Sequence, residues 1–227
     1  MTTFSRPKTR IFTLVFCLIL PLFFLGSVSC KRTVDYFSYV SELRNNIFLA
    51  ETEAFSLRIY STQKESPYAA DGVPREVSAR TEIYLTAPEG VEDCHIHFSV
   101  NDKEQGGEMS YDNVRSEYYL FLSLDTSELE KLTCQVRYGE KTYDLEALSV
   151  LDGTELSPET ILQTVKAESG ELFTSMTDKY GFTGEIYIRL ICEDEPYYYV
   201  GVIDRNGGIC AHLVNAKTGK VLAKRQS

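Results

Sequence analysis

The apolar positions of this chain change their spacing several times, and each change marks a predicted element. An uncharged apolar run, IFTLVFCLILPLFFLG, fills positions 11–26 behind Arg6, Lys8 and Arg10. From 34 to 47, Tyr36, Phe37, Val40, Leu43 and Ile47 recur at helical spacing with Ser38, Ser41, Glu42 and Arg44 between them. This spacing predicts a short amphipathic helix that packs on its own domain. From 48 to about 150 the period drops to two. Segments 54–63, 79–87, 94–100, 117–125, 132–138 and 142–150 read as strands, with turn clusters at 67–72, 88–90, 106–107 and 139–140. Short strands punctuated in this way predict an antiparallel, immunoglobulin-like β-sandwich whose sheets have one wet face.

A second unit is expected beyond Leu151-Asp152-Gly153-Thr154. Ser157-Pro158 is a helix start, with serine at the N-cap and proline at the first helical position. Ile161, Leu162, Val165, Leu172, Phe173 and Met176 then recur on one face to about Thr177, and Gly170 weakens that helix by roughly 1 kcal/mol against alanine. Alternating segments 184–193, 197–204 and 208–215 follow, joined by Asp194-Glu195-Pro196 and Arg205-Asn206-Gly207, and a short strand closes at 220–224. The predicted class is therefore α+β. A helix plus β-sandwich spans 33–152, and a helix on a small antiparallel sheet spans 153–227.

The closing run Asn215-Ala216-Lys217-Thr218-Gly219-Lys220-Val221-Leu222 resembles the D-x-x-T-G-x-V turn of PepSY domains, with Asn215 where that family often has Asp. The likeness takes in the preceding helix and meander and covers 157–227. It implies a small α+β domain of extracytoplasmic proteins, a family associated with inhibiting or regulating peptidases.

At the other end, the basic residues, the apolar run and the small residues Ser27-Val28-Ser29 compose a bacterial-type export signal over 1–29. Cys30 immediately after it resembles the lipobox of bacterial lipoproteins, with Ser27 where Leu is usual. This resemblance implies cleavage before Cys30, a lipid on its thiol and a tether over 30–32. The protein would then sit on the extracytoplasmic face of the cell membrane. Two alternatives stay open. An ordinary signal peptidase cutting at the same bond would release a secreted protein. An uncut 11–29 approaches the roughly 20 residues of a spanning helix, although Pro21 interrupts it. All three place the residues after Cys30 outside the cytoplasm. As a whole the chain resembles Gram-positive-type lipoproteins with a C-terminal PepSY-like domain.

Removing 1–29 takes away three cations and no acid, leaving 20 Lys+Arg against 33 Asp+Glu and a net charge of −13. That balance argues against a nucleic-acid partner. Fifteen Tyr and twelve Phe without Trp favour β structure, as read above.

Candidate chemistry is sparse. His95 and His97 lie two apart on a predicted strand and share a face, the spacing that lets two imidazoles grip one metal. The competing reading turns Cys94, Ile96 and Phe98 inward and leaves the histidines wet; no third ligand is indicated, so no metal is expected. Cys94 and Cys134 both have inward parity. A disulfide between facing sheets, stabilising by about 3–4 kcal/mol, competes there with two buried free thiols. Cys192 and Cys210 fall on meander strands that do not pair directly and are expected reduced. Tyr197 and Tyr199 are expected on the open side of the small sheet, with Tyr198 under the helix.

There is no G-x-S-x-G, H-E-x-x-H or P-loop, and the three histidines come with no matching serine, so no catalytic residue and no cofactor is expected. The functional expectation is a non-catalytic, lipid-anchored interaction or regulatory module at the cell surface with a protein or peptide partner. Peptidase inhibition through the PepSY-like domain is the alternative, and an unrecognised hydrolase stands third.

Overall fold

The computed structural model of the protein describes residues 34–66, 73–87 and 90–227. The expected signal over 1–29, Cys30 and the tether 30–32 lie outside the described residues. Among the described residues no helix is long and apolar enough to cross a membrane.

Alternation of apolar and polar side chains makes strands of most of the chain. They run β1 (Val40–Glu51), β2 (Ser56–Glu65), β3 (Val77–Thr86), β4 (Cys94–Val100), β5 (Lys103–Glu108), β6 (Ser110–Asp112), β7 (Glu117–Leu122), β8 (Lys131–Tyr138) and β9 (Lys141–Ser149). After helices α1 (Pro158–Glu168) and α2 (Gly170–Ser175) come β10 (Thr177–Asp178), β11 (Gly181–Phe182), β12 (Glu185–Cys192), β13 (Pro196–Ile203), β14 (Ile209–Asn215) and β15 (Val221–Gln226). All but the small β10–β11 ribbon belong to one 13-stranded sheet.

The first half of this sheet is a nearly closed barrel. β1 pairs with β2, β2 with β3, β3 with β7 and β7 with β6; on the other side β1 pairs with β9, β9 with β8, β8 with β4 and β4 with β5. β5 and β6 are consecutive, separated only by Met109, so the wall continues through them. Inside, Leu57, Ile59, Ile83, Leu85, Ile96 and Val136 are among the core side chains with 0–1% exposure, the filled interior of a small barrel. Gly106 lies inside β5, not in the expected turn at 106–107. A Cβ there would stand 2.0 Å from the Ile96 carbonyl oxygen, and its φ is +124°. Glycine lets the strand approach its neighbour this closely where the wall bends. The turn itself falls on Asn101 and Asp102, both left-handed with φ of 52° and 60°, as a two-residue hairpin requires.

The second half grows from the same strand. β1 pairs in parallel with β12 over Val40–Arg44, and β12, β13, β14 and β15 continue as an antiparallel meander. α1 starts at Ser157, whose side chain accepts from the Thr160 amide. It packs on β13 and buries Ile161, Leu162 and Val165 above Ile186, Ile188, Tyr198 and Val200.

The expected class is corrected in three respects. The chain is mostly antiparallel β with a continuous barrel-like sheet, not an α+β pair of units with an immunoglobulin-like sandwich. The sheet passes from the barrel into the meander without a break, and Asp35–Ser227 forms one compact unit. The predicted helix at 34–47 is a single 3-10 turn, Tyr36–Tyr39, followed by β1. Register shifts between Val40 and Glu42 and between Arg44 and Asn46 explain the misreading, because each interrupts the two-residue period. Burial on both faces of β1 removes the rest of the alternation: Val40, Ser41, Glu42 and Leu43 are all buried.

Asn46, 2% exposed, occupies the point where β12 leaves β1 and β9 joins it. Its Nδ2 donates to the carbonyls of Ser127 (3.1 Å) and Leu129 (3.0 Å), while its Oδ1 accepts from the Ile47 amide and the Ser149 hydroxyl, both at 2.8 Å. Every hydrogen-bonding capacity of the amide is used. Nearby, Glu42 accepts from Arg189 Nε at 2.6 Å and Nη2 at 2.9 Å, with Lys64 at 3.4 Å, tying β1 to β12 and β2. Burial raises the Glu42 pKa, but the Arg189 hydrogen bonds and charge, helped by Lys64, outweigh it and hold the carboxyl below its ordinary value.

Two outcomes follow from this junction. Asn46→Ala removes hydrogen bonds to the buried Ile47 amide and to three half-buried partners, and lowers stability by about 2–4 kcal/mol, measured by urea unfolding. Glu42 titrates lower in the folded state than its unfolded value of 4.5, so its stabilisation is complete above that pH and is lost as pH falls through the folded value. Glu42→Gln therefore lowers stability at neutral pH and flattens the acid side of the stability curve; a curve parallel to wild type would refute this.

Candidate functional site

On the outward faces of β2, β3 and β7 the polar positions carry aromatic rings. Tyr60, Tyr84 and Phe121 sit on three neighbouring strands, with centroid separations of 5.6 Å and 5.9 Å along the row. Tyr119, opposite Tyr84 in register, lies 5.3 Å from Phe121. The inward neighbours Ile59, Ile83 and Leu85 fill the barrel, so period two alone separates platform from core. Arginines flank the rings: Arg44 lies 4.0 Å from the Tyr60 centroid and Arg80 5.6 Å from that of Phe121.

The β6–β7 hairpin raises one wall beside this row. Asp112 Oδ1 accepts from the amides of Val114 (2.8 Å) and Arg115 (3.2 Å), and Ser116 takes a left-handed φ of 56° to close the turn. Val114 at its tip is 94% exposed. Between hairpin and rings lies an open recess of about 490 Å³, bordered by Tyr84, Tyr111, Asp112, Asn113, Arg115 and Glu117 among others. Glu117 is 8% exposed and holds Arg58 at 3.2 Å and Arg115 at 3.7 Å. Burial, with the Glu82 carboxylate beside it, pushes the Tyr84 phenol up to about 12, so it stays a hydrogen-bond donor at neutral pH. The arrangement can bind; it presents no activated nucleophile.

Under α1 and α2 the fold assembles a pair that the sequence left unmatched. The helix breaks at Ser169, whose φ of −124° turns its hydroxyl to 2.8 Å from His212 Nε2. Lys224 reaches across from β15 and donates to the same oxygen at 2.8 Å. Ser169 is 5% and His212 0% exposed, so this serine–histidine contact is buried beneath the helices. Its signal in sequence was weak, because 43 residues separate the two and only the β14–β15 register brings Lys224 opposite His212.

His95 and His97 share the outer face of β4, with rings parallel and 6.4 Å apart. His95 faces Asp93 at 2.7 Å and His97 faces Glu104 at 3.3 Å. Among the described residues no group of three metal-binding side chains converges, there or elsewhere. Cys94 and Cys134 are both inside the barrel, but on adjacent strands of one wall and not on facing sheets. Cys94 stands opposite Tyr138 and Cys134 opposite Phe98. A four-residue offset is about 13 Å, beyond the reach of a disulfide. Both thiols are free and burial pushes each up to about 12. Cys192 and Cys210 are also free. Tyr198 is 2% exposed beneath the helix, while Tyr199 stacks on Tyr187 on the opposite face at 5.9 Å.

Asn215 organises the closing turn: its Oδ1 accepts from the amides of Lys217 (3.1 Å) and Thr218 (2.9 Å), and Gly219 takes a φ of 71°. The chain matches no protein-family model, no curated protein and no solved structure.

Burial and the Lys224 charge hold His212 below its ordinary value, against smaller opposing effects of the Val200 backbone and then Glu168. The unfolded imidazole therefore takes up a proton near pH 6.5 that the folded one refuses, so stability is full above that pH and declines below it. Melting temperature is expected to fall between pH 7.5 and 5.5, and a His212→Gln variant to lose that slope while starting from a lower value.

Proposed function

We propose that the protein is a non-catalytic binding module displayed outside the cytoplasm, held at the membrane by a lipid on Cys30. Its contact surface is the outer barrel face. The observation that carries this reading is the row of half-buried rings and guanidinium groups, exposed at Phe121 and Arg80, beside an open recess on strands whose other face is the barrel core. Such a surface is rigid before it binds, which keeps the ordering penalty of association small. Aromatic and arginine side chains are also the types that anchor contact surfaces. The export-signal pattern supports the location, and the buried Ser169–His212 contact supports the absence of catalysis.

A second reading is peptidase regulation through the C-terminal part, in line with the PepSY-like resemblance. It is favoured by the Asn215–Gly219 turn closing a helix-covered meander. One experiment separates the two. A photo-crosslinking residue is placed at Val114 on the barrel hairpin or at Leu222 on β15, both exposed, and irradiated in living cells. Adducts from Val114 that vanish with Tyr84→Ala are expected. Adducts from Leu222 with none from Val114 would reject the barrel face in favour of the second reading.

A further inference from the structure

We infer that the ligand of the barrel face is an oligosaccharide bearing anionic groups, laid along Tyr60, Tyr84 and Phe121 with its polar edge in the adjoining recess. The inference rests on the binding-module reading and names its ligand class.

The rings are the first reason. They succeed one another at 5.6 Å and 5.9 Å across three strands, with successive ring planes turned 52° and 68° apart, so each sugar of a bound chain would meet its own ring at its own tilt. A pyranose offers C–H groups on its face and hydroxyls around its edge. The face packs on an aromatic side chain as other apolar groups do, while the edge stays hydrogen-bonded.

The rim of the recess is the second. Asp112, Asn113, Arg115 and Glu117 bring carboxylate, amide and guanidinium groups side by side. Glu117 is paired with Arg58 and Arg115, and Asp112 Oδ1 is taken by two backbone amides, so the open members are Asn113 and the Arg115 guanidinium, whose donors match adjacent sugar hydroxyls. The recess is open and polar along that side, so it suits a hydrated ligand and not an apolar molecule that must be enclosed.

The backbone supplies the third. β2, β3 and β7 are each paired along both edges, so an extended peptide cannot add to this face as a further strand. Recognition there falls to side chains.

Charge then selects among saccharides. The chain as a whole carries a net −10, yet Arg44, Arg58, Arg80 and Arg115 gather on this one face against Glu82, Asp112 and Glu117. The guanidinium of Arg80 lies over Phe121, the most exposed ring of the row at 45%. It stands where a carboxylate or phosphate substituent of a bound chain would meet it.

The test is native affinity electrophoresis of the full chain through gels containing polygalacturonate, hyaluronate, or the neutral glucan laminarin. An acidic protein has no general attraction to the first two polymers. Retardation is expected in at least one of these anionic gels and not in laminarin. The Tyr84→Ala/Phe121→Ala variant should bind roughly tenfold more weakly. Arg80→Gln should weaken binding while leaving circular dichroism and melting temperature unchanged, which separates lost contact from lost fold. Retardation by laminarin alone, by no polymer, or equally for wild type and both variants overturns the inference. If the Val114 crosslinks persist while no polymer binds, the ligand class falls and the binding-module reading stands; if both fail, both fall.

Discussion

A β-strand has only two edges, and the structure depends on how β1 divides one of them. Its first edge is given over to β2 for almost the whole length of the strand. Its second serves β12 over Val40–Arg44 and β9 at Phe48 and Leu49. Two arms of one sheet therefore grow from one strand, a barrel wall and a helix-covered meander. The change of partner leaves backbone groups of the 127–129 segment and of β1 itself in need of hydrogen bonds, and the Asn46 amide supplies them from within. A few residues away the bidentate Glu42–Arg189 pair fastens the parallel half of the junction, where hydrogen bonds alone are slanted and slightly weaker than in an antiparallel ladder.

The outer barrel face inherits its rigidity from this closure. Leu57, Ile59, Ile83 and Leu85 point into a filled barrel, which fixes the outward vectors of Arg58, Tyr60 and Tyr84 between them. A site on paired strands is held more closely than one on a loop, and here only the Asp112–Ser116 hairpin contributes loop residues. The Ser169–His212–Lys224 cluster shows the contrary use of chemistry-bearing residues. It ties a helix break to the sheet beneath, with Ser169 and His212 buried and Lys224 reaching in from the exposed β15.

Legibility followed burial. Strands with one wet face, such as β4 and β8, declared themselves by alternation, and so did the Gly139-Glu140 hairpin between β8 and β9. β1 did not, because both its faces are covered and its bulges imitate helical spacing. Gly106 read as a turn because glycine marks a bend in either setting; only the position of the Ile96 carbonyl oxygen shows that the bend lies within a strand. The platform was the least visible part. Tyr60, Tyr84 and Phe121 are far apart in sequence and individually unremarkable as outward residues of a strand. Their neighbourhood exists only once β2–β3 and β3–β7 are in register.

From its residues alone the chain determined its β-rich character, its acidic balance, the N-cap at Ser157 and the inward parity of Cys94 and Cys134. These are local or additive properties, set by side-chain chemistry and by the two-residue period of a strand. Tertiary structure alone decided that the strands close into a barrel, that one sheet runs through the expected domain boundary, and that rings and guanidinium groups gather on a single face. The physical reason is that pairing register is a long-range choice. It is made by what fills the barrel and by which partner satisfies each edge of β1, and neither is written in the spacing of neighbouring residues.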